Sequence, residues 1–445
     1  MPKEIGRVGQ KRFAGVFYEE FLPELSGVRG IETYKEMANN DEIIYAMLYA
    51  IEMMLRQTEF RVDPAGPKDI DREAADFIDS CLNDMEMTWQ DTLSEILSFI
   101  VYGWSYHEIV YKRRRGRSRD PRYASKYSDG LIGWRKLPIR SQDTLVRWEY
   151  DAKTDELIGL TQAPPPNYTE IFVPLEKAMH FRTKSSKENP EGRSILRGAY
   201  RAWYFKKRIQ EIEGIGIERD LAGFPVLHAP EGSDIWGSDE ESRMTLANAQ
   251  EIVTSIRRDT REGLVLPDGW TLELLASGGR RNFDTNAVIE RWDKRIAMTT
   301  LSDFILLGQQ SQGSFALSSD KTKLFSTALG TYLDIICDVF NTQGIPRLME
   351  LNSEHFHGIT DYPVLAHGDV ENVNLEELGS FVSQTVGSGA LMPDESLDAY
   401  LRRAASMPER VEDYPLAEPT AGNGTPAAQQ TDVQSAGENL EEEAP

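Results

Sequence analysis

The stretch FKKRIQEIEGIGIERDLAGFPV, residues 205–226, decides the fold of this chain. Together with the residues before it, the stretch predicts one long helix, because Ser194 can act as an N-cap and apolar residues recur from there at helical spacing. Gly223 and Pro225 would end this helix. If it begins near Ser194, it would be about 40 Å long. Its two internal glycines do not form a dinucleotide-binding loop, since no strand precedes them and the third glycine is missing.

A compact insert and a second long helix follow. The insert, residues 224–282, reads as a strand, a helix around Met244 to Arg258, and a hairpin that turns at Pro267-Asp268-Gly269. Asp284 can cap the second helix, whose apolar residues continue to about Leu307. Two long helices that flank one insert predict an antiparallel stalk with the insert at its tip.

The residues before the stalk form a mixed region. Asn40 or Asp41 can cap a helix that carries apolar residues up to Leu55, and a second helix is predicted from Trp89 to Ile100. From Tyr106 to about Arg182, short β-rich segments alternate with turn-rich ones, and no helix intervenes. The region therefore predicts antiparallel strands packed with helices, which is an α+β fold.

The residues after the stalk change character twice. A Gly/Ser/Gln-rich loop, GQQSQGSFALSSDK, leads into a helix predicted from about Lys321 to Phe340. Shorter helices are predicted between residues 370 and 411, one of them capped by Asp394 or Ser396. From Glu412 onward the chain has eight acidic residues and no basic one, so this tail is expected to be disordered.

Charge and cysteine content exclude several classes of protein. The formal net charge of −23 argues against a protein that coats nucleic acid, because such affinity comes mainly from Lys and Arg. Two cysteines form neither a disulfide framework nor a four-thiolate metal site. The longest apolar run, residues 43–55, is too short for a bilayer span of about 20 residues. We expect a chain made in the cytosol, without a membrane partner.

Two motifs resemble catalytic sites. GWSYH, residues 103–107, nearly spells a hydrolase nucleophile elbow around Ser105, but an elbow needs a strand, a sharp turn and a helix, with Gly in place of His107. His355 and His357 would share one face of a strand, and they read as a structural pair more than as a partial metal site. We expect no catalytic residue, no metal and no cofactor; a metal-dependent nucleic-acid enzyme built on paired carboxylates stays an open alternative.

The basic run KRRRGRSRD, residues 112–120, falls between two predicted strands. It reads either as a solvated hairpin tip or as a contact to an acidic partner or to nucleic acid. In the second interpretation the candidate contact residues are Arg113, Arg114, Arg115 and Arg117.

Several segments, taken in order, resemble the portal proteins of tailed bacteriophages, most closely the Mu-like portal family. The resemblance covers roughly residues 30–411. It depends on these segments: MLRQTEFRVDP, LSFIVYGWSYHEIVY, the strand series from LPIRSQDTLVRWEYD to IFVPLEKAMHF, FKKRIQEIEGIGIERDLAGFPV, FILLGQQSQGS and GALMPDESLDAYLRRAASMPE. No single segment is diagnostic, so a different head-tail connector or a minor capsid protein is the alternative.

The resemblance implies a ring, usually of twelve subunits, that forms a DNA channel at one capsid vertex. Each subunit would have a mixed α/β wing, a two-helix stem, a small α/β clip, a tunnel loop and a helical crown. In this chain the implied regions are the N-terminal part of the wing at 1–193, the stem at 194–222 and 283–307, the clip at 223–282, the tunnel loop at 308–320, the tunnel helix with the C-terminal part of the wing at 321–370, the crown at 371–411 and the disordered acidic tail at 412–445.

The resemblance also implies partners and functional residues. The genome would be packaged and ejected through the ring, which would be assembled in the host cytoplasm with scaffold and the major capsid protein and would dock the terminase and then the head-tail adaptor. The expected residues facing double-stranded DNA are Gln309, Gln310, Ser311, Gln312, Ser314, Ser318 and Ser319. The candidates for docking a partner at the clip are Trp236, Met244 and Trp270.

Because the tail contributes −8, the rest of the chain carries −15, and an acidic channel would let DNA slide.

Overall fold

The computed structural model describes residues 6, 8–222, 224–255, 265–275, 284–300, 315–370, 375–390, 392, 394–405 and 407. The chain divides into two compact units, Met1–Glu371 and Asn372–Pro445. Helices and strands both occur along the first unit, and the described residues of the second unit contain helices. The predicted α+β class is confirmed.

The helices begin and end close to the predicted residues in most of the chain. In the described residues they are α1 Gly27–Asn40, α2 Glu42–Gln57, α3 Asp69–Asn83, α4 Trp89–Tyr102, α5 Tyr200–Ala222, α6 Glu240–Ser255, α7 Thr285–Thr299, α8 Phe315–Val339, α9 Ile345–Leu351, α10 Leu375–Gly387 and α11 Glu395–Ala404. Asp41 caps α2 by accepting hydrogen bonds of 3.1 Å from the amides of Ile43 and Ile44. Gly103 ends α4 with φ +92°, and a Cβ there would lie 2.5 Å from the Glu191 carbonyl oxygen, so only glycine fits.

The strands pair antiparallel wherever the structure describes them. They are β1 Arg12–Phe13, β2 Val16–Phe17, β3 Phe60–Asp63, β4 Trp104–Glu108, β5 Val110–Arg113, β6 Ile132–Lys136, β7 Leu145–Tyr150, β8 Leu157–Gln162, β9 Ile171–Pro174, β10 Ala178–Arg182, β11 Phe224–His228, β12 Thr271–Leu275 and β13 Val364–His367. The pairs are β1 with β2, β3 with β13, β4 with β10, β5 with β6, and β11 with β12, while β7, β8 and β9 form a three-stranded sheet. The predicted antiparallel region between α4 and α5 is therefore confirmed.

Some predicted boundaries are wrong. Ser194 caps a single 3-10 turn, Ile195–Arg197, and α5 begins only at Tyr200. The helix predicted from Lys321 begins six residues earlier, at Phe315. His355 and His357 lie in turns after α9 rather than on a strand.

Two buried clusters hold the first unit together. The larger one joins α1 to α4, the start of α5, α8 and α9, and residues such as Met37, Ile44 and Leu333 are fully buried in it. The smaller one packs the three-stranded sheet through the rings of Trp104, Tyr106 and Trp148, among others. Each large apolar side chain that folding removes from water contributes roughly 1.5–3 kcal/mol, so these clusters supply most of the favourable free energy of folding.

The smaller cluster borders a buried carboxyl group. Glu191 lies beside Trp148, whose indole Nε1 donates a 3.3 Å hydrogen bond to Glu191 Oε1. The two residues help to line a cavity of about 510 Å³ between β2, β7 and the loop before α5. Burial raises the pKa of Glu191 to about 7, and the single indole donor lowers it only in part.

The larger cluster contains a buried ammonium group. Lys206 of α5 is fully buried, and its Nζ lies 3.0 Å from Asp41 Oδ2, 2.7 Å from Asp293 Oδ1 and 3.4 Å from Glu42 Oε1. Burial lowers the pKa of Lys206, but Asp293 and Asp41 raise this pKa by more, so the net shift is upward. One side chain of α5 thus links the N-cap of α2 to α7.

We predict that Lys206→Met destabilises the fold by about 3–5 kcal/mol, because it leaves the carboxylates of Asp41 and Asp293 buried without their cation. The free energy of unfolding in urea measures this loss. Lys207→Met is the matched control: Lys207 pairs with Glu36 at the surface, and its loss should cost less than about 1 kcal/mol. Equal stabilities of the two variants would contradict the structural role of Lys206.

We predict that Glu191→Gln stabilises the protein at pH 8 and has almost no effect at pH 4. The ordinary pKa of 4.5 rises to about 7 in the folded chain, so between these values the unfolded chain ionises first and wild-type stability falls as pH rises. Gln keeps an acceptor for Trp148. The free energies of unfolding of the variant and the wild type at pH 4 and pH 8 measure this difference. Glu188→Gln, which changes an exposed neighbouring carboxylate, is the control. An equal gain in the free energy of unfolding at both pH values would show that the pKa of Glu191 is not raised in the folded chain.

Candidate functional site: an insert between two antiparallel helices

Helices α5 and α7 pack side by side in antiparallel directions. Lys206 pairs with Asp293 in their middle, and the rings of Phe205 and Trp292 stack there with centroids 5.7 Å apart. Nearer the insert, the Thr285 hydroxyl donates a hydrogen bond to Glu213. Partner numbers fall along α7 as they rise along α5, which requires opposite directions. The predicted antiparallel stalk is confirmed for this pair.

The insert between these helices is built on a two-stranded sheet. β11 pairs with β12 so that Val226 lies opposite Glu273, and α6 packs against β11. The predicted turn at Pro267-Asp268-Gly269 is present: the Trp270 amide donates a 3.2 Å hydrogen bond to the Pro267 carbonyl, and Gly269 has φ +80°. However, the described residues 265–267 form no strand, and β12 pairs with β11 instead of with the segment just before the turn.

The three docking candidates of the insert differ in exposure. Trp236 is 78% exposed and Met244 is 62% exposed, whereas Trp270 is partly buried. The Ser242 hydroxyl of α6 donates a 2.7 Å hydrogen bond to the Asp234 carbonyl, which ties the segment of Trp236 to the start of α6. Trp236 therefore lies on the surface of the insert and not in its interior. An indole in this position exposes apolar surface to water, and a partner could cover it.

The basic run is divided between the interior and the surface. Lys112 is buried and pairs with Asp84 at 2.9 Å, and Arg114 is buried and pairs with Asp129 at 2.8 Å. Arg114 is therefore not available to a partner, which corrects its place among the contact candidates. The three other candidates, Arg113, Arg115 and Arg117, are exposed.

The residues of the apparent nucleophile elbow lie in the core. Ser105 is fully buried in β4, and its hydroxyl donates a 3.0 Å hydrogen bond to the Ile96 carbonyl. His107 Nδ1 lies 2.9 Å from the Leu137 carbonyl oxygen, and burial lowers the pKa of His107 to about 4. Because no helix follows β4 and Ser105 has no access to solvent, this motif has no nucleophile to offer a substrate.

One histidine of the pair, His355, makes a structural contact. His355 Nε2 lies 2.8 Å from Glu73 Oε1 at the surface, and His357 is exposed in the next turn. Within the part of the chain that the structure describes, no group of three or more His, Cys, Asp or Glu side chains is arranged to hold a metal ion. In the same part, no helix is long and apolar enough to cross a membrane.

The predicted tunnel loop cannot be compared in full. Gln309, Gln310, Ser311, Gln312 and Ser314 lie outside the described residues. Ser318 and Ser319 lie in the first turns of α8 rather than in a loop, because that helix begins at Phe315. Their contact with DNA stays a prediction.

Known proteins resemble this chain over most of its length. The family described as the portal protein of Mu bacteriophage matches residues 31–404. A chain of the native gene transfer agent virion is similar over 85% of this chain and 94% of its own, with 11% identity and a TM-score of 0.48. An HK97 family phage portal protein from Corynebacterium diphtheriae is similar over 74% of this chain and 92% of its own, with 10% identity and a TM-score of 0.38. With its family match covering both helices of the stalk and the insert between them, the chain belongs to the Mu bacteriophage portal protein family and acts as a portal at the capsid vertex.

Proposed function

We propose that this portal protein assembles as a homo-oligomeric ring of twelve subunits whose axial channel conducts double-stranded DNA into and out of the capsid. The observation that carries the proposal is the antiparallel pair of α5 and α7 with an insert at one end. In this proposal the helices are the stem, residues 223–282 are the clip, residues 308–320 face the DNA, and residues 371–411 form the crown. The ring is assembled in the host cytoplasm and takes its place in the virion.

The far half of α5 supports a ring because several of its apolar side chains stay exposed in a single chain, although α7 packs beside it. Its first turns carry the buried side chains of Ala202, Trp203 and Lys206, but farther along Ile212 is 68% exposed, Ile215 is 50% exposed, and Ile217 is also exposed. Among the described residues, nothing apart from the adjoining backbone of α5 lies within 4 Å of where a Cβ would project from Gly214. Apolar side chains on a helix face normally pack against another element, and a second subunit of the ring is the occupant that we propose.

Ile212→Glu with Ile215→Glu is expected to prevent ring closure and leave the subunit folded, since both side chains are exposed in the single chain. Native mass measurement and electron microscopy would give rings for the wild type and single chains for the variant, with equal helical content. Asn248→Glu with Gln250→Glu adds the same two charges to an exposed part of α6 and should leave rings intact. Wild-type protein that remains monomeric would refute the ring itself.

The clip is proposed to dock the terminase during packaging and the head-tail adaptor afterwards, while scaffold and the major capsid protein contact the ring elsewhere. Trp236 and Met244 support a docking role because they are exposed side chains of types enriched at interface centres. We name Trp270 as a weaker candidate because it is partly buried.

Trp236→Ala is predicted to leave ring assembly unchanged and to weaken binding of the terminase or the adaptor by about 30-fold, as expected for an interface residue that contributes about 2 kcal/mol. Titration of purified rings with each partner measures this effect, and the yield of DNA-filled, tailed particles gives an independent measure. Val265→Ala removes another exposed apolar side chain of the insert and serves as the control. Unchanged affinity for both partners would show that Trp236 is not an interface residue.

A further inference from the structure

The hairpin formed by β5, residues 114–131 and β6 carries a strong local positive charge on an acidic protein. Residues 111–130 contain eight Lys or Arg side chains and two Asp side chains, so their net charge is +8 − 2 = +6, against −23 for the whole chain. At physiological salt the Debye length is about 8 Å, so acidic groups farther away act weakly on a ligand at this hairpin. Asp84 lies within this distance, because it pairs with Lys112 at 2.9 Å, and including it leaves a local net charge of +6 − 1 = +5.

The inward cations hold the hairpin in one shape. Asp84 receives Lys112 Nζ at 2.9 Å, the Ser125 hydroxyl at 2.7 Å and the Lys126 amide at 2.8 Å. Burial raises the pKa of Asp84, but these three donors lower it by more, so the net shift is downward and the carboxylate stays ionised. The turn-rich segment therefore has a buried ion pair as its anchor.

Arg114 anchors the other side of the hairpin. It pairs with Asp129, donates a 2.7 Å hydrogen bond from Nη1 to Ser80 Oγ, and stacks its guanidinium 4.0 Å from the centre of the Tyr127 ring. Backbone hydrogen bonds from the Gly130 amide to the Arg114 carbonyl and from the Gly116 amide to the Tyr127 carbonyl continue the two-stranded pairing beyond β5. With these contacts in place, the outward side chains are presented from a preformed backbone, which lowers the entropy cost of binding.

The outward arginines form no ion pair with the part of the chain that the structure describes. Among the described residues, Arg113, Arg115 and Arg117 form no ion pair, while both aspartates of the hairpin are already engaged, Asp129 by Arg114 and Asp120 by Arg122 at 2.7 Å. A guanidinium group presents donors that match a phosphate in a bidentate arrangement. Three such groups on a fixed hairpin are therefore ready to bind an anionic polymer.

We propose that the exposed face of this hairpin, formed by Arg113, Arg115 and Arg117, binds the phosphate backbone of double-stranded DNA. The centre of a protein interface is depleted of charge and carries apolar anchors, whereas protein–DNA interfaces are polar and strongly positive. The hairpin face has the second character. Such binding is sequence-independent, since it needs no base contact. It also goes beyond the proposed channel, which passes DNA without holding it.

Fluorescence anisotropy of a labelled 20-base-pair duplex, at 50 to 200 mM NaCl, tests the inference. The variant Arg113→Gln, Arg115→Gln, Arg117→Gln removes three phosphate contacts, so the slope of log K against log salt should become shallower by about 2.7. Between 50 and 200 mM NaCl, the factor by which wild-type affinity falls should therefore be roughly 40 times the factor by which the variant's affinity falls. Replacing the same three residues with Lys should restore most of the slope, because the charge returns.

The matched control is Arg61→Gln, Arg72→Gln, Arg147→Gln, which removes three charges that already form surface ion pairs and should leave the slope near the wild-type value. All proteins are compared in the oligomeric state measured by native mass. No duplex binding by the wild type at 50 mM salt, or an unchanged slope in the hairpin variant, would overturn the inference. Tighter binding of a polyglutamate peptide than of the duplex would overturn it as well, by identifying an acidic protein as the ligand. Each of these results could occur with intact rings, so the channel proposal is tested separately.

Discussion

The buried ammonium group of Lys206 is the interaction on which the arrangement of the first unit depends. A charge without water is costly unless carboxylates surround it, and here they come from two different elements, the N-cap of α2 and the middle of α7. Asp41 also accepts hydrogen bonds from the first amides of α2. The start of α2, the middle of α5 and the middle of α7 therefore meet at one point, and sliding α7 by one turn along α5 would separate the charges. Apolar contacts alone tolerate such a shift more easily, because they are not directional.

This anchor divides α5 into two physical environments. Ala199, Ala202 and Trp203 are buried around Lys206, whereas the isoleucines from position 212 onward face solvent in the single chain. A helix takes most of its stability from packing of its apolar face, so a second half whose isoleucines stay exposed beside α7 gains less from packing than the anchored half. Rigid attachment at one end and unsatisfied apolar surface toward the other end suit a subunit that completes its packing by association. The insert is carried at that second end, so its exposed Trp236 is presented away from the anchored core.

Local signals in the sequence predicted much of this fold. Helix caps, helical periodicity and β-rich composition depend on neighbours in the chain, so the sequence predicts them well. The structure confirms the caps at Asp41, Asp284 and Asp394, the helices α2 and α4, and the strands of residues 106–182. The pairing of β11 with β12 was missed because it joins strands more than 40 residues apart, while the nearby turn favoured a local hairpin. The role of Lys206 was missed although a signal existed: it lies three residues after Trp203, on the apolar face of α5. The split of the basic run into inward and outward residues could likewise have been read from the strand period of two, which places Lys112 and Arg114 on one face.

Net charge is a poor guide to what such a molecule does with DNA. Coulomb interactions in salt water decay within about 8–10 Å, so a duplex responds to the nearest few side chains and not to the sum over the chain. A net charge of −23 on the whole chain therefore coexists with a net charge of +6 on residues 111–130, and these two charges act on DNA in opposite ways. An acidic surface repels phosphates and lets a polymer slide, while a compact group of arginines attracts it at one place. Two of its cations, Lys112 and Arg114, are neutralised by Asp84 and Asp129, so the positive charge that remains lies on the outward side chains. The same buried pairing that stabilises the loop leaves both carboxylates unable to neutralise the outward arginines, so folding and local charge are set by one arrangement of residues.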